Sequence, residues 1–223
     1  MKRILRNGLI LMAVLGAGYA GCKIVYPSYT YRQRMIVEVE VDGQLRTGSS
    51  VVEIMVRKQP KIGDSLTAVA YVRGEAVFVD LGQGRNVIAL LAAGPDGKDT
   101  DYPRRLVTRV FGVSYEDRDL PKLAALRDRS ILSGEVLPTF VTFADLNDPK
   151  TARVVQPREF EKVLGANVHF KGAWIEMTDA PLTNEIEGKL PHILQKIREE
   201  DKLIHIERLG DPFRVNSGQL KRG

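Results

Sequence analysis

The sequence contains a single cysteine, Cys22, in 223 residues. One cysteine excludes an intrachain disulfide and leaves no thiolate cluster for zinc or an iron–sulfur centre. About 200 residues follow it, which is enough to bury a hydrophobic core without covalent links. We therefore expect apolar packing to hold the fold, with no metal and no cofactor.

Residues and motifs that suit catalysis are also scarce. The histidines are His169, His192 and His205. The chain has no Gly-x-Ser-x-Gly elbow, no His-Glu-x-x-His zinc motif and no Gly-Lys-Ser/Thr phosphate loop. Ser49 and Ser50 follow Gly48 in a strand-like stretch rather than at a strand-to-helix elbow. A catalytic Ser-His-Asp cluster remains an alternative, because the members of such a triad are adjacent in space and not in sequence.

Long apolar runs are absent except at the N-terminus. Lys2, Arg3 and Arg6 precede about fourteen apolar or small residues, 8–21, and Lys23 interrupts any extension. A membrane-spanning helix needs about 20 apolar residues, so this run is short for a span. A basic start followed by a short apolar segment is the layout of an export signal.

Three interpretations of this segment remain open. Tyr19-Ala20-Gly21-Cys22 resembles a bacterial lipobox, although Tyr19 stands where lipoproteins usually have an aliphatic residue. That interpretation makes Cys22 the lipid attachment residue. A signal peptidase could instead cut after Ala20, or the segment could stay as an uncleaved anchor with Lys23 reaching toward the headgroups. We expect residues 1–21 to be a signal or anchor and residues 22–34 to be a tether leading into the first strand.

The net charge argues against a nucleic-acid partner. The chain carries +5, and removal of Lys2, Arg3 and Arg6 lowers this to +2. The basic character is therefore partly a property of the signal, and no dense Lys/Arg stripe follows.

Residues 35–216 are predicted to form a single α+β domain, with a mostly antiparallel sheet flanked by a few short helices. Apolar and acidic residues alternate from Met35 to Val41, and Asp42-Gly43 is a hairpin signal. Further short strands up to residue 93 suggest one sheet of about five strands. Helical spacing after Pro103 and Pro121 predicts two short helices covering the sheet.

The C-terminal part is predicted to contain one longer helix. Asn184-Glu185-Ile186-Glu187 looks like a capping box, and Pro191 is expected to kink or divide the helix that follows. Residues 217–223 are expected to form a loose tail.

Three carboxylates are candidates for chemistry: Asp145, Asp148 and Asp179. Asp145-x-Asn147 begins like a calcium loop, but the sixth position has no glycine and Gln156 stands at the twelfth, where glutamate is required. Capping of local turns explains these side chains without a metal.

Two other motifs allow a phosphate-binding interpretation. Gly82-x-Gly84 lacks the third glycine and the following helix of a dinucleotide fingerprint, so we interpret it as a hairpin turn. Arg104, Arg105 and Arg109 are expected on the solvated side of a helix, with a phosphate or headgroup contact as the alternative.

Several segments resemble those of a group of uncharacterised, lipoprotein-like envelope proteins of Gram-negative bacteria. The segments are Tyr29–Arg32, Thr47–Ser50, Leu137–Phe143, Asp145–Lys150 and Thr178–Thr183. The resemblance touches both halves of the chain through short motifs. It implies an exported protein behind a lipoprotein-like signal, and it brings no catalytic residues.

The sequence favours a membrane-attached exported protein that acts as a non-enzymatic envelope or binding module. Its expected partners are the membrane, through the N-terminus, and an envelope protein. Its expected location is the bacterial cell envelope, with the domain facing the periplasm. The alternatives are a membrane-attached hydrolase with a Ser/His/Asp cluster hidden in sequence order, and an envelope protein with a small-ligand cavity.

Overall fold

The computed structural model describes residues 25–61, 63–64, 68–115, 119–203 and 215–223, together with Met12 and Gly16. Cys22 and His205 lie outside the described residues. Among the helices that are described, none combines the length and the apolar character needed to cross a membrane.

The α+β prediction is confirmed, with short helices around two mostly antiparallel sheets. The strands are β1 (Ser28–Val41), β2 (Gln44–Lys58), β3 (Ala68–Glu75), β4 (Val77–Gly82), β5 (Arg85–Ala93), β6 (Arg129–Leu132), β7 (Pro138–Phe143), β8 (Ala152–Val154), β9 (Val168–Met177) and β10 (Lys221–Arg222). The helices are α1 (Tyr102–Phe111), α2 (Leu120–Ala125), α3 (Phe160–Leu164), α4 (Ile186–Lys189), α5 (Pro191–Leu203) and α6 (Ser217–Leu220).

The six-stranded sheet has the order β10-β3-β2-β1-β9-β6 and is built around the β1–β2 hairpin. Asp42 and Gly43 have φ of 51° and 76°. Positive φ at both positions gives the two-residue turn that the Asp-Gly pair predicted. β1 begins at Ser28, so the strand includes the second half of the predicted 22–34 tether.

The other sheet has four strands in the order β4-β5-β7-β8. The predicted strands up to residue 93 are present, but they are divided between the two sheets rather than forming one. The division falls at residue 76, whose backbone N–H donates to Leu220 O at 2.8 Å. Alternation along a strand identifies the buried face but not the sheet to which the strand belongs.

The two sheets pack face to face over the larger core. Val37 and Val39 of β1 and Val87 of β5 are fully buried in it. Gly48 of β2 permits the closest approach, because a Cβ there would lie 2.3 Å from Phe78 O. The larger sheet therefore rests directly on the backbone of β4.

A second core lies on the opposite face of the four-stranded sheet. Ile88 and Leu90 of β5 pack there against Leu190, Ile193 and other side chains of the C-terminal helices. β5 is thus buried on both faces, and the fold has three layers: sheet, sheet and helices.

The C-terminal residues correct two predictions. Residues 217–223 form α6 and β10 instead of a loose tail, because Leu220 is completely buried and Gln219 Nε2 donates to Gly97 O at 2.7 Å. The expected capping box at α4 is wrong: Glu185 is the N-cap and makes no side-chain capping bond. The division at Pro191 is confirmed, since α4 ends at Lys189 and α5 begins at Pro191.

Candidate functional site

A cleft of about 530 Å³ opens at one end of the four-stranded sheet. It lies where β5 ends, where β7 begins and where the last turn of α1 faces the 3-10 turn Gly134–Val136. We call it the Arg109 cleft, after the one cationic side chain among its lining residues. Its volume falls in the range of sites for small ligands, roughly 300–1,000 Å³.

The floor of the Arg109 cleft is apolar and well packed. Phe140 contributes to it and is 2% exposed. Its ring packs edge to face on Phe160, with centroids 5.7 Å apart, and on Phe170 at 5.4 Å. Leu137 and three prolines, Pro95, Pro138 and Pro157, complete the apolar lining. Such a floor gives a ligand a rigid, water-excluding surface.

The positively charged side chain of the cleft, Arg109, lies on α1. Asp99 is held in place by reciprocal backbone bonds with Ala93, both at 3.1 Å. Its carboxylate pairs closely with Arg105, whereas Arg109 Nη1 is 3.8 Å from its second oxygen. Asp99 is thus paired mainly with Arg105. The Arg109 guanidinium, with 39% of its side chain exposed, keeps donors available to the cleft.

The rest of the arginine cluster does not share this role. Arg104 pairs with Asp101 and donates to Ala70 O at 3.4 Å. Only Arg109 of the three therefore lines the cleft.

Three further polar residues line the cleft: Thr139, Glu135 and Gln156. Thr139 Oγ1 donates to Gly94 O at 2.6 Å, which ties the start of β7 to the Gly94–Asp99 loop. Glu135 is exposed, and no described residue forms an ion pair or hydrogen bond with it. The cleft thus combines an apolar floor with one guanidinium and two carboxylates, those of Asp99 and Glu135.

The three candidate carboxylates do not form a site. Asp145 Oδ1 accepts the backbone N–H of Asn147 at 2.8 Å, and Asp148 Oδ1 accepts that of Lys150 at 3.0 Å, so both cap local turns as predicted. Asp179 belongs to another region, where it pairs with Arg127 at 2.7 Å. Within the described ranges, no group of three or more His, Cys, Asp or Glu residues could hold a metal ion.

The described histidines do not support a hydrolytic cluster. His169 lies on β9 and His192 on α5, and both are exposed. Neither is hydrogen-bonded to a serine or a carboxylate of the described residues. Ser50 is buried, and its hydroxyl donates to Glu75 O at 2.7 Å, while Ser49 is exposed on the same strand.

The Gly82-x-Gly84 motif is a hairpin turn, as predicted. Gly82, Gln83 and Gly84 have φ of 80°, 56° and 76°, and they join β4 directly to β5. No helix follows, so the turn lacks the helix N-terminus that a dinucleotide site requires.

The sequence did not predict a tyrosine pair beside α1, in which Tyr31 is buried and Tyr115 is half-buried. The hydroxyl groups of Tyr31 on β1 and Tyr115 are 2.8 Å apart, and the Tyr115 hydroxyl also donates to Arg104 O. Burial raises the pKa of Tyr31 well above its ordinary value, and the neighbouring Tyr115 adds to the effect. Burial also raises the pKa of Tyr115. The pair links the larger sheet to the helix that positions Arg109.

Comparison of the chain with protein-family models, with curated proteins and with solved structures finds no match.

Proposed function

We propose that this protein is an exported, membrane-attached binding module of a bacterial envelope, with the Arg109 cleft as its ligand site. The N-terminal layout supports export and attachment: Lys2, Arg3 and Arg6 precede a short apolar run that ends at Cys22. Attachment through Cys22 or through an uncleaved anchor both fit this proposal. The domain begins at Ser28, only six residues after Cys22, so it lies close to the membrane surface.

The observation that carries the binding proposal is the position of the Arg109 guanidinium above an apolar floor. Arg105 pairs more closely with Asp99, which leaves Arg109 able to receive an anion. Leu137, Pro95 and Pro157 offer apolar surface beside it, backed by the buried Phe140. The chemistry fits a small amphiphile with an anionic head, carboxylate or phosphate, and an apolar body.

A direct test measures binding of hexanoate and hexyl phosphate by titration calorimetry, with hexanol as the uncharged probe. Both anions should bind, and hexanol should bind more weakly. Arg109→Gln should weaken anion binding about tenfold or more, because a hydrogen bond to a charged group is lost.

Arg46→Gln is the matched control, since Arg46 lies on β2 and does not line the cleft. It should leave the affinity unchanged. Absence of binding, or equal affinity in the Arg109→Gln protein, would contradict the ligand site.

A further inference from the structure

Among the residues that the structure describes, no strand lies beside one edge of β2 between residues 45 and 49. β1 pairs with β2 along its whole length, but β3 pairs only with residues 53–58. Between these regions, the backbone N–H of Val51 donates to Thr183 Oγ1 at 2.9 Å. The open stretch is therefore bounded by Thr183 at one end and by the Asp42-Gly43 turn at the other.

The turn decides which backbone groups point outward. A two-residue hairpin turn makes its flanking residues, Val41 and Gln44, a hydrogen-bonded pair, and such pairs recur at every second residue. Even-numbered residues of β2 therefore bond to β1. Leu45, Thr47 and Ser49 direct their N–H and C=O groups away from it.

These residues are accessible to another chain. Leu45 is 55% exposed, and Thr47 and Ser49 are exposed as well. Residues 45–49 contain no proline, and Arg46 is their one charged side chain. An open edge with few charges and no proline is a template for strand pairing.

We propose that residues 45–49 pair antiparallel with the same residues of a second copy of this chain, about a two-fold axis at Thr47. Thr47 then lies opposite Thr47 of the copy, and Leu45 lies opposite Ser49. The outward groups are symmetric about Thr47, so every outward N–H and C=O of the stretch meets a partner.

The side chains fit this register. Arg46 lies opposite Gly48 of the copy, so no charged side chain stands directly across from its guanidinium. Its guanidinium otherwise contacts Gln44 Oε1 at 3.4 Å. Leu45, Thr47 and Ser49 share the opposite face and are uncharged, so like charges approach each other only at the two Arg46 side chains, diagonal neighbours about 7–8 Å apart on the other face.

The pairing has two physical consequences. Five residues per copy bury less than the ~800 Å² per partner of a standard interface, so we expect weak, micromolar association. Antiparallel pairing also sends the two β1 strands in opposite directions. The proposal is independent of what the Arg109 cleft binds.

Disulfide cross-linking of the full-length protein tests the register. Opposed residues in a hydrogen-bonded pair have Cα atoms about 5.5 Å apart, within the ~4.4–6.8 Å range of disulfides. Thr47→Cys should therefore give a covalent dimer under mild oxidation. Ser49→Cys is the matched control on the same edge: its two copies lie about 13 Å apart along the strands and should not cross-link.

A mixture of Leu45→Cys and Ser49→Cys proteins should form a mixed dimer, because these residues are opposed. The parent chain, with Cys22 alone, gives the baseline. Equal cross-linking of Thr47→Cys and Ser49→Cys would indicate random collision and overturn the proposal. A cross-link from Thr47→Cys to a different polypeptide would overturn it too.

A charge exchange provides a second readout that does not depend on thiols. Thr47→Lys and Thr47→Glu proteins should each sediment as monomers, because like charges meet at the axis. Mixing them should restore the dimer. Folding is checked by an unchanged thermal midpoint, and failure of the mixture to associate would contradict the two-fold pairing.

Discussion

The carboxylate of Glu75 accepts the backbone N–H groups of Glu185, at 2.7 Å, and of Ile186, at 3.2 Å. Glu75 ends β3 and is 2% exposed, while the two N–H groups begin α4. A helix start leaves such N–H groups without intrahelical partners. Glu75 therefore caps the start of α4, as a local capping box would, and joins the larger sheet to the helical layer.

Replacement of Glu75 should reduce stability measurably. Glu75→Gln puts an amide that carries N–H donors where two N–H groups need acceptors, so we expect the free energy of unfolding to fall by about 2 kcal/mol. Urea denaturation followed by circular dichroism measures it. Glu38→Gln, a partly exposed position on β1, should stay within about 0.5 kcal/mol. Equal losses in the two variants would refute the capping role.

Among the described glycines, Gly48 should tolerate an added methyl group least. Its added Cβ would lie 2.3 Å from Phe78 O and 2.9 Å from Val79 Cγ2, so the two sheets would have to separate. Gly48→Ala should cost about 3 kcal/mol or more of unfolding free energy, as severe overpacking does. Gly188→Ala is the control, because nothing lies within 4 Å of the position that a Cβ would take there. A stable Gly48→Ala protein would show that the sheets are not in such close contact.

The Tyr31–Tyr115 pair predicts a loss of stability in alkali. Because burial raises the pKa of Tyr31 in the folded protein, the phenol ionises first in unfolded chains, at about pH 10. The stability that the neutral Tyr31 phenol contributes to the folded protein is therefore fully present below that pH. It is lost as the pH rises toward the pKa that Tyr31 has in the folded protein.

Thermal midpoints at pH 7 and pH 10.5 check this. Tyr31→Phe should be less stable at pH 7 by about 1 kcal/mol, since a hydrogen bond to Tyr115 is lost. The same variant should lose less stability between the two pH values. If the thermal midpoint of Tyr31→Phe fell as much between pH 7 and pH 10.5 as that of the parent protein, groups other than Tyr31 would be responsible for the loss of stability in alkali.

Local patterns predicted the elements of this fold better than their assembly. Alternation in Met35–Val41 and the Asp42-Gly43 turn predicted the hairpin, and the prolines at 103 and 121 marked α1 and α2. The capping motif before Ile186 misled because the actual cap, Glu75, comes from 110 residues away. In the sequence, Glu75 also looked like an ordinary polar residue at the end of a strand.

The Arg109 cleft could not have been predicted from any one stretch. The sequence singled out Arg109 as part of a cluster, but Asp99 and Glu135 belonged to no motif that it singled out. Their grouping depends on where β5 and α1 end and where β7 begins in space, which periodicity does not encode. Asp145 and Asp148, by contrast, were interpreted correctly because turn capping is a local property.

Attachment of an exported domain to a bacterial membrane is the central claim, and intact mass with fatty-acid labelling of the mature protein tests it most directly. We predict that the protein recovered from the membrane fraction carries the lipid label and begins at Cys22, and that Cys22→Ala abolishes the label. Unchanged labelling in the variant, or a membrane-bound chain that still begins at Met1, would replace lipid attachment by the uncleaved anchor. An unlabelled chain in the soluble fraction would contradict attachment altogether.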